Sequence, residues 1–404
     1  MRNRTIISIL LIGMSMSLFA GGYQVRLQGQ KQTGMGLIGT STNFGASSIF
    51  YNPGTLSMMK TDYSFEVGAN FINSNVIYQS TTSSYTAETD NPLSTPAYIY
   101  GAAKLNDKLT LGIGFYTPYG STSKWDKDWA GKNLIQEISL QAFYIQPTLS
   151  YKINDKFGVG AGLVLVQGNV DLQKALPYSE QAYTRLKGSD FGAGFNIGAS
   201  YQATQKLNIG IAYRSQITMK VDGGTAIFRI PASLESIVAP NNKFSAELPL
   251  PANLDFGLSY QVTEKLMAAL EVNYVFWGVY KELNFTFEEN GEVLNNTNPR
   301  EYSNSLIPRL GLEYKFNSIF TFRTGGYYDP TPTNEKYFTP ETVSLDTWAY
   351  TFGISIMAYK NLGIDLTYLG THGKESVKMY EPDNFEGRYK TTASIFGIGI
   401  NYNF

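Results

Sequence analysis

The sequence predicts an all-β protein, a 14-stranded antiparallel transmembrane β-barrel, and three observations carry the prediction. The last nine residues, 396–404, alternate apolar with small or polar side chains and end on an aromatic, Phe404. Similar alternating segments recur along the chain. The breaks between these segments are alternately very short and long, as expected for periplasmic turns that alternate with extracellular loops. This pattern places the protein in the bacterial outer membrane.

The start of the chain is typical of a secreted protein. Arg2 and Arg4 precede an apolar run, residues 6–19, that is too short to cross a bilayer as a helix and ends at the small residue Ala20. We interpret residues 1–20 as a signal peptide. No later apolar stretch has the length of a spanning helix, which excludes a helical inner-membrane protein but leaves a soluble secreted protein possible.

Composition narrows the classes of function. Aromatic residues make up 14% of the chain, which suits the aromatic girdles of a barrel. The net charge of -1 gives no basic field, so we expect no nucleic-acid partner. Because Cys is absent and His372 is the single histidine, thiolate and multi-histidine metal sites are excluded. We expect no metal and no cofactor.

The short breaks set the strand count. They carry turn residues such as Asn106-Asp107-Lys108 and Asn154-Asp155-Lys156, and they recur roughly every fifty residues with two strands and one long break between them. An even count puts both ends of the barrel on the periplasmic side. The expected strands lie near 63–78, 97–105, 109–118, 134–153, 157–169, 189–202, 206–221, 245–262, 265–287, 301–316, 319–328, 344–359, 362–377 and 389–404.

Charged side chains keep to one face of the expected strands. Arg214, Arg309 and Arg323 have inward parity, while the neighbouring Leu, Ile, Tyr and Phe face lipid. An arginine at the lipid midplane costs roughly 2 to 4 kcal/mol, so this segregation favours a membrane barrel over a soluble sandwich. The three arginines are candidates for an inner pocket that binds a carboxylate. Pairing with inward acids such as Glu313 or Asp365 is the alternative.

Residues 21–62, called the N-terminal segment below, do not follow the barrel pattern. They are rich in Gly, Ser, Thr and Asn, and Tyr51-Asn52-Pro53-Gly54 is a turn signal. Composition alone leaves a flexible periplasmic tail and a plug in the lumen equally open. The chain is therefore divided into a signal peptide (1–20), this segment (21–62) and the barrel (63–404).

Several short motifs resemble one known family. They are Gly22-Tyr23-Gln24, Gly34-Met35-Gly36, Asn52-Pro53-Gly54, Tyr213-Arg214-Ser215, Leu248-Pro249-Leu250-Pro251, Trp277, Thr321-Phe322-Arg323-Thr324-Gly325 with Asp329, Trp348 and the closing strand. Their order and spacing are similar to those of the FadL-type (OmpP1/FadL/TodX) outer-membrane transporters of long-chain fatty acids, which include channels for toluene-like hydrocarbons. The resemblance covers essentially the whole mature chain.

The resemblance implies a barrel whose lumen is closed by an N-terminal hatch. Tyr23, Asn52, Pro53 and Gly54 are the hatch residues, with Gly54 where the family has alanine. Such proteins passively transport a hydrophobic small molecule, a fatty acid or hydrocarbon. They capture it at extracellular loops, pass it beside the hatch and release it sideways into outer-membrane lipid.

The third and fourth long breaks are apolar where an extracellular loop is usually polar. Clusters of this kind mark binding sites, although two loops that pack on each other as a lid would look the same. The candidate capture residues are Leu172, Leu176, Tyr178, Phe228, Ile230, Leu234 and Ile237.

The third strand ends in Pro118-Tyr119-Gly120, which are the candidate lateral exit. Proline donates no ladder hydrogen bond and glycine weakens a strand, so pairing with a neighbour should break here, although a plain strand end would look similar. The resemblance favours a kinked strand that opens the wall. Basic positions of the family's fifth strand are replaced by neutral Gln167 and Asn169, which makes a neutral hydrocarbon a credible ligand.

Two other classes are weighed against transport of hydrophobic molecules. An outer-membrane lipid hydrolase would need His372 beside a serine, and nothing in the spacing recommends it, so we expect no enzyme. A small-solute porin would have an open lumen. We expect a monomer whose C-terminal strand is recognised by the barrel-assembly machinery.

Overall fold

A computed structural model describes residues 22–404, so the expected signal peptide lies outside the described residues. Fourteen antiparallel strands form a closed wall, in which the last strand pairs with the first from Ser64 opposite Asn403 to Gln79 opposite Arg388. The expected 14-stranded all-β barrel is confirmed.

Nineteen strands occur in the described residues, and five of them lie outside the wall. In chain order they are β1 (Tyr63–Gln79), β2 (Thr86–Glu88), β3 (Ala97–Lys104), β4 (Leu109–Lys124), β5 (Glu137–Asn154), β6 (Phe157–Ala175), β7 (Tyr183–Gln202), β8 (Leu207–Arg214), β9 (Ile217–Arg229), β10 (Asn241–Leu250), β11 (Asn253–Gln261), β12 (Leu266–Val275), β13 (Phe285–Phe287), β14 (Ser305–Lys315), β15 (Phe320–Asp329), β16 (Thr347–Tyr359), β17 (Leu362–Gly373), β18 (Ser376–Tyr380) and β19 (Phe385–Asn403). The strands outside the wall are β2, β9, β10, β13 and β18; each extends the sheet by pairing with a wall strand or with another of the five.

The helices are short. They are α1 (Gln30–Gly34), α2 (Ser48–Tyr51), α3 (Pro53–Leu56) and α4 (Gly291–Leu294), with single turns of 3-10 helix at Ala232–Leu234, Trp277–Val279 and Glu381–Asp383. Within residues 22–404, no helix is long and apolar enough to cross a membrane.

The two faces of the wall follow the expected parity. On the closing strand β19, Phe396 is 59% exposed and Ile398 is 45% exposed. Asn401, which has the opposite parity, is 4% exposed. Arg214, Asp255, Glu271, Arg309, Glu313 and Arg323 of β8, β11, β12, β14 and β15 are buried on the inner face. Apolar side chains therefore meet lipid, and the charges avoid it.

Three expected strands are shorter than the sequence suggested. Residues 206–221 divide into β8 and β9 because Ser215 bonds back to Phe195 of β7 and the chain then leaves the wall to form a hairpin with β10. Residues 245–262 divide into β10 and β11 around Pro249 and Pro251, which have no N–H to donate to a ladder. The strand expected over 265–287 ends at Val275.

Candidate functional site

Residues 22–59 of the N-terminal segment lie largely buried against inward-facing positions of the wall. Helix α1 lies against β16 and β17, and helix α3 lies against β6 and β7 on the far side of the barrel. Gly36 has a φ of 74°, and a Cβ there would lie 2.9 Å from the carbonyl oxygen of Leu310 in β14. The segment therefore contacts opposite arcs of the wall.

Asn52 organises the turn that begins α3. Its Oδ1 accepts the Gly54 N–H at 2.9 Å, and Pro53 occupies the first helical turn, where it loses no hydrogen bond. The Asn52 side-chain amide donates to the carbonyls of Thr40 (2.6 Å) and Ala199 (3.0 Å). One side chain thus caps the helix, ties two parts of the segment together and fixes both to β7.

The close approach of α3 to the wall explains the glycine in Asn52-Pro53-Gly54. A Cβ at Gly54 would lie 2.7 Å from the Ala199 Cα and 2.7 Å from the Gly198 carbonyl oxygen. Both are backbone atoms of β7, which cannot rotate away as a side chain would. Alanine at this position would therefore push the helix off the strand.

A buried charge cluster joins the segment to β11 and β12. Arg26 contacts Asp255 at 2.9 Å and Glu271 at 3.3 Å, and the other Glu271 oxygen accepts the N–H groups of Gly39 (3.0 Å) and Thr40 (2.9 Å). Burial opposes the Arg26 charge, but the two acids outweigh it and raise the pKa of Arg26 above its usual value. This cluster was not predicted from the sequence, although Asp255 and Glu271 both have inward parity.

The three candidate inner-pocket arginines do not share one pocket. Arg323 pairs with Glu313 at 2.7 Å, and Arg214 donates to the Phe50 carbonyl at 2.9 Å. Arg309 lies over the Tyr327 ring, 4.9 Å from its centroid; its Nε and Nη1 have no hydrogen-bond partner within residues 22–404. Structural pairing accounts for Arg323, and Arg214 holds the N-terminal segment.

Strand β4 is irregular at the candidate lateral exit. Its pairing with β3 ends at Tyr116, and its register with β5 shifts between Tyr116 and Tyr119. Beyond that point the N-terminal segment takes the edge that β3 has left. The Val25 N–H donates to the Pro118 carbonyl at 2.7 Å, and the Gly120 N–H donates to the Tyr23 carbonyl at 3.0 Å.

An apolar pocket lies directly above this junction. Tyr23 and Tyr119 form part of it, and the Tyr23 ring packs edge-on against Trp277 with centroids 4.8 Å apart. The Tyr23 hydroxyl donates to the Pro249 carbonyl. Burial raises the pKa of Tyr23, so the phenol stays neutral. The aliphatic and aromatic lining includes Leu140, Leu172, Leu186, Met219, Val221, Phe244, Leu248, Leu250, Tyr280 and Phe285.

The candidate capture residues separate into two groups. Leu172, Leu176, Phe228 and Ile230 pack together in one apolar cluster, and of these Leu172 lines the pocket. Tyr178 and Ile237 are each 48% exposed, and Leu234 lies in a 3-10 turn outside the cluster. Of the seven positions, Leu172 lies in β6 and Phe228 in β9, and the other five lie in the connections that follow these two strands.

The far wall of the pocket comes from a connection before β16. Glu341 and Thr342 line the pocket, and Glu341 pairs with the buried Arg300 at 2.7 Å. Burial opposes the Arg300 charge, but the adjacent Glu341 carboxylate outweighs it and raises the pKa of Arg300. Neither residue was predicted from the sequence, because the two partners are 41 positions apart in irregular chain.

The closed wall, the buried segment and the apolar pocket define an outer-membrane barrel of the transport class. The family model described as outer membrane protein transport protein (OMPP1/FadL/TodX) matches residues 11–404, so the chain belongs to that family. The protein is therefore an outer-membrane transport protein of the bacterial cell, and the family expected from its motifs is confirmed.

Individual relatives are distant but similar over nearly their whole length. A 47 kDa outer membrane protein of Pasteurella multocida is 25% identical over 388 residues, covering 89% of this chain and 88% of the relative. The structure of a Pseudomonas aeruginosa FadL homologue superposes with a TM-score of 0.82 at 19% identity, covering 96% and 100%. The Ralstonia pickettii toluene transporter TbuX gives 0.73 at 20%, covering 93% and 98%.

Proposed function

We propose that this protein is a passive channel that captures hydrophobic molecules at its extracellular side and releases them sideways into the outer membrane. The N-terminal segment acts as the hatch. One observation carries the proposal: Tyr23 lines the apolar pocket, while its backbone carbonyl seals the edge of β4 at Gly120. A molecule that reaches the bottom of the pocket therefore touches the residue that closes the wall.

The substrate class is a hydrophobic small molecule, either a long-chain fatty acid or a hydrocarbon. The lining of the pocket supports this, because transfer of apolar surface from water to such a lining is favourable. The family of the chain and the description of TbuX as a toluene transporter support it further. A concentration gradient is the driving force.

The hatch is suited to reversible movement. Its polar contacts with the wall include those of Arg26, Asn52 and the Gly39–Thr40 backbone. It also packs apolar side chains such as Ile49 and Leu56 in a buried cluster with wall residues. Polar groups of this kind can exchange protein partners for water when a lumen fills. Movement of the segment therefore uncovers the edge of β4 without leaving these polar groups unpaired.

A disulfide that locks the hatch to β4 tests the proposal. Gln24 and Tyr119 form an antiparallel bridge between the two backbone hydrogen bonds. They are thus a non-hydrogen-bonded pair, in which the Cα atoms lie closest, and this geometry suits a disulfide. Because the chain has no cysteine, Gln24→Cys with Tyr119→Cys gives a single defined cross-link. Uptake of toluene by cells should fall about tenfold on oxidation and recover on reduction.

The two single-cysteine variants are the matched controls, since they share the lost side chains and cannot form the bridge. Equal uptake by oxidised and reduced double variants, with the bridge verified, would refute release through the wall at this place. Passage toward the periplasmic end would then be the better mechanism.

We further propose that the protein has no catalytic role, acts as a monomer and is recognised by the barrel-assembly machinery through β19. His372 supports the first point, because it lies exposed on β17 opposite Trp348 and does not line the apolar pocket. A lipase assay of the purified protein beside a His372→Ala variant, together with its mass in detergent, checks the first two points.

A further inference from the structure

The polar side of the apolar pocket is acidic. Among the described residues that line it, the charged ones are Asp190, Glu247 and Glu341, and the remaining polar side chains are neutral amides, hydroxyls and phenols. Neither lysine nor arginine is part of this lining. The three inward arginines of the sequence analysis lie elsewhere in the lumen.

The cations nearest these acids are already paired. Lys220 contacts Glu247 at 2.7 Å, and Arg300 contacts Glu341 at 2.7 Å. Asp190 accepts the backbone N–H of Lys220 at 2.6 Å. A ligand carboxylate in the pocket would therefore compete with protein carboxylates for each of these donors.

An ionised head group loses its hydration in an apolar pocket. It is bound there only when cationic or hydrogen-bonding groups replace the lost water. Here it would instead meet protein carboxylates. Their repulsion is strongest at Glu341, whose side chain is 14% exposed, and weaker at Glu247, which is 60% exposed and screened by water. An uncharged molecule of the same shape escapes both costs and keeps the full benefit of the lining.

We propose that this pocket selects uncharged hydrophobic molecules and rejects anionic amphiphiles, with Asp190, Glu247 and Glu341 as the residues that determine specificity. The inference rests on the proposed transport function and names its substrate class. Neutral hydrocarbons, esters and alcohols fit the pocket, and ionised fatty acids do not.

The first test uses the purified protein in neutral detergent and two competitors with the same chain. A neutral naphthylamine dye that brightens in apolar sites fills the pocket, and dodecanoate or its methyl ester displaces it at about pH 8, where a carboxyl group is ionised. The ester should displace the dye at a concentration at least about tenfold lower than the carboxylate. Equal displacement, or a preference for dodecanoate, would overturn the inference while leaving the transport function intact.

The second test changes the acids. Glu341→Gln removes one carboxylate and leaves the Arg300 charge beside the pocket, so dodecanoate should bind about tenfold more tightly while the ester is unchanged. If this variant does not fold, the double variant Asp190→Asn with Glu247→Gln changes acids that are more exposed than Glu341. It should reduce the difference in affinity between the ester and dodecanoate. A gap that persists in a folded acid variant would contradict the assignment of these residues.

Glu375→Gln is the matched control, because Glu375 is an exposed acid paired with Arg388 and does not line the pocket. It should leave the ratio of the two competitors unchanged. Failure of wild-type protein to bind the dye, the ester and the carboxylate alike would refute the proposed transport function, and this inference with it. The two failures are thereby distinguishable.

Discussion

The N-terminal segment and the apolar pocket above it occupy the same barrel but differ in their polar contacts. The segment is tied to the wall by the Arg26 ion pairs, by Glu271 with two backbone N–H groups, and by Asn52. The pocket is lined by side chains such as Leu172, Met219 and Phe244, with few donors. The segment also packs apolar side chains such as Ile49 and Leu56 in a buried cluster, so it combines directed polar contacts with apolar area, whereas the pocket offers mainly apolar area.

This difference fits two separate tasks. Buried ion pairs and backbone hydrogen bonds fix one orientation of a part, although their net stabilisation is small after desolvation is counted. Apolar area binds in proportion to what is removed from water and imposes little orientation. The proposed hatch needs a fixed orientation, and a pocket that binds varied apolar molecules needs apolar area.

Removal of the segment should have the largest effect. Deletion of residues 23–61 takes away the side chains that meet the inner wall and should leave a folded, heat-modifiable barrel with steady ion conductance many times that of the full chain. Conductance in planar bilayers measures this. Conductance equal to that of the full chain would mean that the segment does not close the lumen. The N-terminal segment and the apolar pocket would then not lie on one transport path.

Loss of Glu271 should weaken the docking of the segment. Glu271→Ala leaves Arg26 with one acid and removes the acceptor of two N–H groups, so the docking free energy should fall by about 3 to 5 kcal/mol. Protease cleavage within residues 23–61 and a rise in conductance measure the change. Glu375→Ala, on the exposed surface, is the control; identical cleavage of the two variants would contradict a polar lock.

Loss of an apolar pocket side chain should act on binding alone. Leu248→Ser removes lining area that is worth at most about 1.5 to 3 kcal/mol, so affinity for the neutral dye should fall while segment docking is unchanged. Ile237→Ser is the matched control because Ile237 is 48% exposed and outside the pocket. A weaker dye affinity in the control variant would indicate that the ligand is captured at the exposed rim rather than in the pocket.

The smallest effect is expected from a single methyl group at the hatch. Gly54→Ala should cost about 1 to 3 kcal/mol of docking, because the new Cβ meets the β7 backbone. Gly101→Ala is the matched control, since nothing lies within 4 Å of a Cβ at that position. Cleavage of the segment at rising protease concentration compares the two, and equal protection would show that α3 can move aside freely.

The wall could be predicted from the sequence, and the site only in part. Alternation along a strand reports which face meets lipid, so the faces of β14, β15 and β19 followed from local pattern, as did the inward positions of Arg309, Glu313 and Arg323. Even the Arg323–Glu313 pair was foreseeable, because the two residues are cross-strand neighbours on one hairpin.

Contacts of the segment could not be predicted this way. Arg26 is more than two hundred residues from Asp255, and no local pattern says that a polar stretch will enter the lumen rather than remain in water. The boundaries of β8 to β11 were missed for a related reason. The chain stays strand-like beyond Arg214 while it leaves the wall, and periodicity does not report which partner a strand pairs with.

The pairing of residues 23–25 with β4 has a further consequence for how the wall can open. A membrane wall must satisfy its backbone donors and acceptors internally, because hydrocarbon offers them nothing. When Tyr23 and Val25 move away, the Gly120 N–H and the Pro118 carbonyl lose their partners, and an apolar passenger cannot replace them. Water on the lumen side must then form those hydrogen bonds, so each opening admits water to the gap. When the passenger has left, the segment can restore the two backbone hydrogen bonds, which favours closing of the wall.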